Sequence, residues 1–367
     1  MSATEEHRHP SHRSESAPRP DLVHAHTPWK RVVLLGLGAV VVVLVVMLAF
    51  IWPTLTSSVK DLPLSVTGPS DQVSAIESHL TSGSNHTFAL TTVTSRDEAV
   101  HKIRTRDSYG AIILGQKPEV LFASANGSVV KAIMTQVAAR IQEQANAQAQ
   151  AALQAAIAEH RAPVGTQLPT ITVRITDIVP LASGDPQGLG LVVSAFPLVI
   201  GGILGGVLFS ILLVGDWRRI TAIVIYGVVG GLALAAVLQG WLAILQGSYL
   251  LNAAAIGLSL VATTSLVVGV SALIGRVGIA VGAVITMLFG NPLSAASMPQ
   301  VFLLAPWGAI GQWFVPGASI SLLRDLSYFS EADLSFGWLV LGGWAVLGLV
   351  AVVVGRFRNQ EVSRAAE

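Results

Sequence analysis

Apolar and polar positions divide the chain into an apolar run, a long mixed stretch, and then a series of further apolar runs. The first run, from Val32 to Trp52, holds ~21 uncharged residues, enough at ~1.5 Å each to cross a ~30 Å hydrocarbon core. It ends in "IWPTLTSS", which has no small-residue cleavage site, so it predicts an anchor and not a removed signal. Later runs cover Leu191 to Val214, Ile220 to Leu245, Leu251 to Ile274, a shorter one from Val277 to Gly290, and Phe336 to Val354. The expectation is six transmembrane helices, counting the short one.

The stretch between the first two runs has the pattern of a water-soluble domain. Short β-rich runs near Leu62, from Thr87, from Tyr109 and from Glu119 alternate with amphipathic stretches such as "DQVSAIESHL" and "RDEAVHKIRTR". That order predicts a small sheet with parallel pairs and covering helices. From Ser128 to His160 no helix breaker occurs. Apolar residues recur there by threes and fours at Val130, Met134, Val137 and Ile141, then at Ala145, Ala149, Ala152 and Ala156, predicting a long helix that packs through small residues. A final strand, "PTITVRITDIVPL", returns toward the membrane.

The fifth apolar run is short, ~14 residues or about 21 Å of helix. After it comes "NPLSAASMPQVFLLAPWGAIGQWFVPGASISLLRD", apolar but repeatedly broken by proline or glycine. Unpaired peptide groups are costly in hydrocarbon, so such backbone is expected where protein or a cavity covers it. Two readings stand: a re-entrant element over about 291–325, or a surface-lying amphipathic loop anchored by Trp307 and Trp313. Along a pathway beside this element the candidates are Asn291, Pro292, Pro306 and Pro316, with Gln239 and Asn252 as polar side chains near the spans. For Gln239 and Asn252, hydrogen bonding to substrate competes with bonding between helices.

Basic residues set the expected orientation. Lys30, Arg31, Arg218, Arg219, Arg276, Arg356 and Arg358 all fall on one side of a six-span topology, which makes both termini cytoplasmic. The expected organisation is a disordered cytoplasmic tail over 1–29, a transmembrane helix over 30–52, and an extracytoplasmic α/β domain over 53–190. Helices 2–6 with the re-entrant element follow over 191–358, then a cytoplasmic tail over 359–367.

Composition reinforces the membrane reading. The chain is 52% hydrophobic and 12% charged, with a mean hydropathy of +0.64. It has no cysteine, which excludes disulfides and thiolate sites, and its net charge of +1 gives no field for binding nucleic acid. His7, His9, His12, His24 and His26 lie in the N-terminal tail, where metal chelation competes with a plain solvated tail. No span interior contains Asp, Glu, Lys, Arg or His, so a proton relay is not expected. Phosphate-loop, nucleophile-elbow and zinc-protease motifs are missing, and no catalytic residue, cofactor or metal is expected. Gly201 and Gly205, like Gly202 and Gly206, are four apart on a helix face that permits close contact, within the chain or in an oligomer. "GDWRR" makes a short loop in which Asp216, Trp217, Arg218 and Arg219 either dock a partner or serve as a positive flank.

An anchor, a large α/β domain, five further spans and a broken element before the last resemble the permeases of type-2 ABC exporters and the related phage-infection-protein (Pip) family. The resemblance is carried by "RDEAVHKIRTRDSYGAIILG", "DIVPLASGDPQGLGLVVSAFPLVIGG" and "GNPLSAASMPQ...APWGAIGQWFVPGASISLLRD", and runs from about Lys30 to Arg358. It implies a bacterial plasma-membrane permease subunit, paired as a homodimer or with a similar permease. Such a subunit would export an amphipathic or envelope-related molecule using a separate cytoplasmic ATPase subunit. The alternative of a different class is a non-transporting envelope scaffold or secretion accessory whose outer domain binds partners.

Overall fold

The computed structural model describes residues 28–81, 87–159 and 171–365. The histidine-bearing tail predicted over 1–29 therefore lies outside the described residues, apart from its last two positions. The chain forms two compact units, Met1–Val45 and Val46–Glu367. The first ends within α1 (Trp29–Thr56), a helix that is apolar all round and so has the character of a membrane span.

The mixed stretch forms a five-stranded sheet in the order β2-β1-β3-β4-β5, from β1 (Leu62–Thr67), β2 (Phe88–Thr92), β3 (Gly110–Ile113), β4 (Glu119–Phe122) and β5 (Arg174–Asp177). β1 pairs in parallel with both β2 and β3, and β4 with β5, as the alternation of strands and helices predicts. The β3–β4 pair is antiparallel, because only five residues join the strands, too few for a crossover. Covering helices are α2 (Ser70–Thr81), α3 (Arg96–Arg104) and α4 (Ser128–Ala158). In β4 the side chains alternate between two cores: Val120 and Phe122 pack with Val130 and Met134 of α4, while Leu121 packs with Ala99 and Ile103 of α3. Helices thus cover both faces, which is why every residue of this strand is buried. In α4 the burial fades along the helix: Val130, Met134 and Val137 are buried, Ala145, Ala149 and Ala156 only partly, and Ala152 is exposed.

Among the described residues six helices are long and apolar enough to cross a membrane: α1, α5 (Leu189–Leu212), α6 (Asp216–Ala235, continued by a π-helical turn to Trp241), α7 (Tyr249–Ile274), the run starting with α8 (Arg276–Val284), and α11 (Ser335–Ala365). α7 is the hub, with 78% of its most apolar window buried and α5, α6, α8, α11 and the later α10 (Val315–Tyr328) all against it. Small residues make these contacts. A Cβ on Gly231 of α6 would strike the Ala253 carbonyl and the Gly257 backbone, and one on Gly348 of α11 would strike Ser265. The hydroxyls of α7 find partners across helices: Thr264 donates to the Gly202 carbonyl (3.0 Å), and Ser259 lies 2.7 Å from the Ser319 hydroxyl.

The fifth run extends beyond the predicted 14 residues. α8 continues through a π-helical turn, Ile285–Gly290, and a 3-10 turn, Pro292–Ser294, so that helical backbone runs from Arg276 to Ser294. The broken segment then forms a 3-10 turn at Gln300–Phe302, the short α9 (Trp307–Gly311), and α10. α10 is no surface helix. Its Ile320, Leu322 and Leu323 join the core around α7, and Phe329 just beyond it enters the α3 core of the α/β domain. Phe302 joins the α4 core in the same way. At the C-terminal end α11 keeps helical backbone to Ala365, past the point where a tail is predicted.

The helix contacts generate a direct test. Gly231→Val should lower stability by about 1–3 kcal/mol through overpacking, whereas Gly343→Val, with no atom within 4 Å of the added Cβ, should change it by less than about 0.5 kcal/mol. Thermal unfolding of the two detergent-solubilised variants measures the difference.

Candidate functional site

A polar region between the α/β domain and the helices is built from three elements. α3 is capped at its start by Ser95, whose hydroxyl accepts from the Glu98 N–H (3.1 Å), while Glu98 accepts from Thr94 N (2.8 Å). It carries acidic residues in its first turn and basic ones in its last, in keeping with the helix dipole. The chain leaves α3 through Arg106, which sits at φ +64°, a left-handed conformation uncommon for arginine. Its Nη1 donates to Asp325 Oδ1 on α10 (2.5 Å), and its guanidinium lies 5.3 Å from the Phe329 ring centroid. Two further contacts join α3 to the α10–α11 connection: His101 and Arg104 both reach Glu331, at 3.0 and 3.4 Å.

The second element, α10, places Arg324 beside Asp325. Arg324 is 6% exposed, and Nη2 donates to the Ala296 carbonyl at 2.6 Å. Among the described residues no carboxylate lies within ion-pair distance of it. Burial, with Arg106 close by, lowers this guanidinium to about 10, so it remains charged at neutral pH. Burial likewise pushes the Asp325 carboxyl above its usual range, against the opposing pull of Arg106.

The third element is the 3-10 turn Ser124–Asn126 that leads into α4. Asp177 accepts from Ser124 N (3.0 Å), and Ser124 Oγ accepts from Leu181 N (3.1 Å), which fixes the turn against β5 and its exit. Asn126 is 2% exposed, yet neither its amide nitrogen nor its amide oxygen has a hydrogen-bond partner.

These groups converge on a cavity of about 400 Å³. Arg106, Tyr109, Asn126, Gln312, Arg324 and Asp325 supply its polar wall, and Met298, Trp313 and Phe336 an apolar one. Its size is that of a small-molecule site, and buried donors face its open space. Among the described residues no cluster of three or more His or acidic side chains is placed to hold a metal.

The residues singled out from sequence lie elsewhere. Gln239 and Asn252 bond to each other (2.9 Å) and to the backbone at Gly247 and Gln246, closing the α6–α7 turn. Asn291 and Pro292 line a smaller hollow of about 210 Å³ with Phe196 and Met298. Pro306 precedes α9, and Pro316 begins α10 packed near Gly290. The predicted loop "GDWRR" is not a loop beyond Gly215: Asp216–Arg219 form the first turn of α6, with Trp217 67% exposed, Arg218 exposed, and Arg219 donating to the Leu213 and Ser210 carbonyls at the end of α5, which draws the chain straight into the next helix. The four glycines make contacts within the chain: Gly202 faces Thr263, Gly206 faces Val267, and Gly201 and Gly205 face Tyr226. What sequence reasoning passed over was Arg106, Asn126 and the adjacent Arg324 and Asp325, although two neighbouring charges inside "SISLLRDLSYF" were the available signal.

No family model matches the chain, and no curated protein or solved structure matches it either.

The Arg106–Asp325 pair sets up a double-mutant cycle. Asp325→Leu leaves Arg106 buried without its partner and should cost about 3–5 kcal/mol, while the double variant Arg106→Met, Asp325→Leu should cost much less. Denaturant unfolding of Arg106→Met, Asp325→Leu and the double variant, all as the full chain in micelles, checks this: a double loss well below the sum of the two single losses is the coupling, and additive losses would mean the pair is not coupled.

Proposed function

We propose that this chain is the membrane-spanning permease subunit of an ABC-type exporter in a bacterial plasma membrane, moving an amphipathic or envelope-related molecule outward with energy from a separate ATPase. The observation that carries the reading is the cavity beneath the α/β domain, enclosed by the broken segment where the helical bundle ends. A pathway needs irregular, protein-covered backbone around a polar space near the membrane surface, and this segment supplies it. The span interiors hold no ionisable relay, so the energy source is external. The resemblance to type-2 exporter permeases and Pip-like proteins points the same way.

In this reading both termini and Asp216–Arg219 face the cytoplasm, and the α/β domain and the re-entrant segment of about 291–325 form an exit gate. Trp217 and Arg218, exposed at the start of α6, contact the ATPase. The functional unit is a homodimer or a pair with a similar permease. The second half of α4, with its exposed alanine and glutamine side chains, favours a second reading, an envelope scaffold that binds partners through this helix.

Topology is tested by single cysteines in the cysteine-free chain. An impermeant reagent applied from outside should label Ser128→Cys and Ser297→Cys but not Trp217→Cys, and the reverse pattern would invert the gate. For function, capture from native membranes should bring down a nucleotide-binding subunit, and Trp217→Ala with Arg218→Glu should reduce its yield several-fold. Capture of envelope proteins alone, dependent on the second half of α4, would support the scaffold.

A further inference from the structure

The 400 Å³ cavity has a charge balance that its packing does not account for. Its titratable lining is Arg106, Tyr109, Arg324, Asp325 and Asp333. Arg106 and Asp325 neutralise each other. Asp333 is exposed and accepts from Ser335 N (2.9 Å), so it caps the start of α11 at the edge of the space. Arg324 is left over: it is buried and charged, and its protein hydrogen bond is to a neutral carbonyl. Taking an ion out of water costs several kcal/mol unless something compensates it, so such a group is normally retained for a counter-charge. Asn126, which also lines this space, has an amide with both ends unpartnered, which is independently rare for a side chain this buried.

Two backbone observations add to this. Of the four non-glycine residues with positive φ among the described residues, two line the cavity, Arg106 at +64° and Ala295 at +52°. Strained conformations of this kind collect at ligand sites, where surrounding contacts hold them. Trp313 and Phe336 pack edge to face at 5.1 Å and are both largely exposed, so the polar space opens beside an aromatic surface at the start of α11.

We infer that this cavity binds the anionic headgroup of an amphiphile, with a phosphate or carboxylate oxygen on Arg324, the Asn126 amide donating to the same group, and the apolar chain along Trp313 and Phe336. A guanidinium is suited to oxyanions because its donors are planar and charged, and the cavity has the volume of a headgroup. The inference narrows the cargo of the exporter proposed above and rests on that reading for its meaning. Its test is equilibrium binding, which needs neither an ATPase nor transport, so either can fail without the other.

The full-length protein in neutral detergent is titrated with octyl phosphate, octanoate, neutral octanol and inorganic phosphate, reading tryptophan fluorescence and heat. Octyl phosphate or octanoate should bind, and Arg324→Gln should weaken that binding by about tenfold or more. Asn126→Ala removes only unpartnered atoms, so it should fold and weaken binding several-fold; it decides the matter if Arg324→Gln does not fold. Inorganic phosphate binding as tightly as octyl phosphate, with the same dependence on Arg324 and Asn126, would overturn the amphiphile and leave a site for a free oxyanion. Octanol binding as well as the anions, or affinity unchanged in the folded variants, would overturn the site altogether.

Discussion

Around α7 backbone must approach backbone, and the rest of the helical structure depends on that closeness. Lipid tails are as apolar as leucine, so helices in a membrane gain little by hiding apolar surface from one another. What draws them together is van der Waals contact and hydrogen bonding at short range, and both require small side chains at the crossing points. Gly227 and Gly231 on α6, Gly202 and Gly206 on α5, and Gly348 and Gly355 on α11 meet α7 where a Cβ would collide. The serines and threonines of α7 then reach carbonyls and hydroxyls on neighbouring helices. A helix buried on every side this way acts as a fixed post, against which the broken segment can be held.

That segment explains how a water-soluble type of domain is joined to a membrane bundle. α10 offers aliphatic side chains to the α7 core along its length and charge near its C-terminal end. The charged end meets α3 through Arg106–Asp325, and Glu331 beyond it meets His101 and Arg104. Phe302 and Phe329 enter the two cores on opposite faces of the sheet. The joint is therefore apolar at two points and ionic between them, and the cavity lies in the ionic part. Arg106 and Ala295, both at positive φ, line that space.

Much of the architecture was legible from the order of apolar runs. Helix and strand types follow from local period and length, so the six apolar helices, the strand-helix alternation and the long uninterrupted α4 were all readable. The antiparallel β3–β4 pair was readable in principle from its five-residue link, though the alternation drew attention to parallel pairing instead. The extension of the fifth run was not, because a π-helical turn and a 3-10 turn can carry a helical path past glycine and proline where simple α-helical counting stops. For the site the outcome was different. Gln239, Asn252 and the prolines stood out because they are polar or rigid near apolar runs, yet their partners are local turns and helix ends.

The sequence by itself determined that this chain has six stretches fit for lipid and one stretch fit for water, because hydropathy and periodicity are properties of each segment alone. Only the tertiary structure decided that Arg106, Asn126 and Arg324, more than two hundred positions apart at the extremes, enclose one cavity, and which glycines serve packing within the chain. The physical reason is that burial and pairing depend on what lies opposite a residue. An arginine reads the same in sequence whether a carboxylate faces it, as for Arg106, or a neutral carbonyl and an open space, as for Arg324.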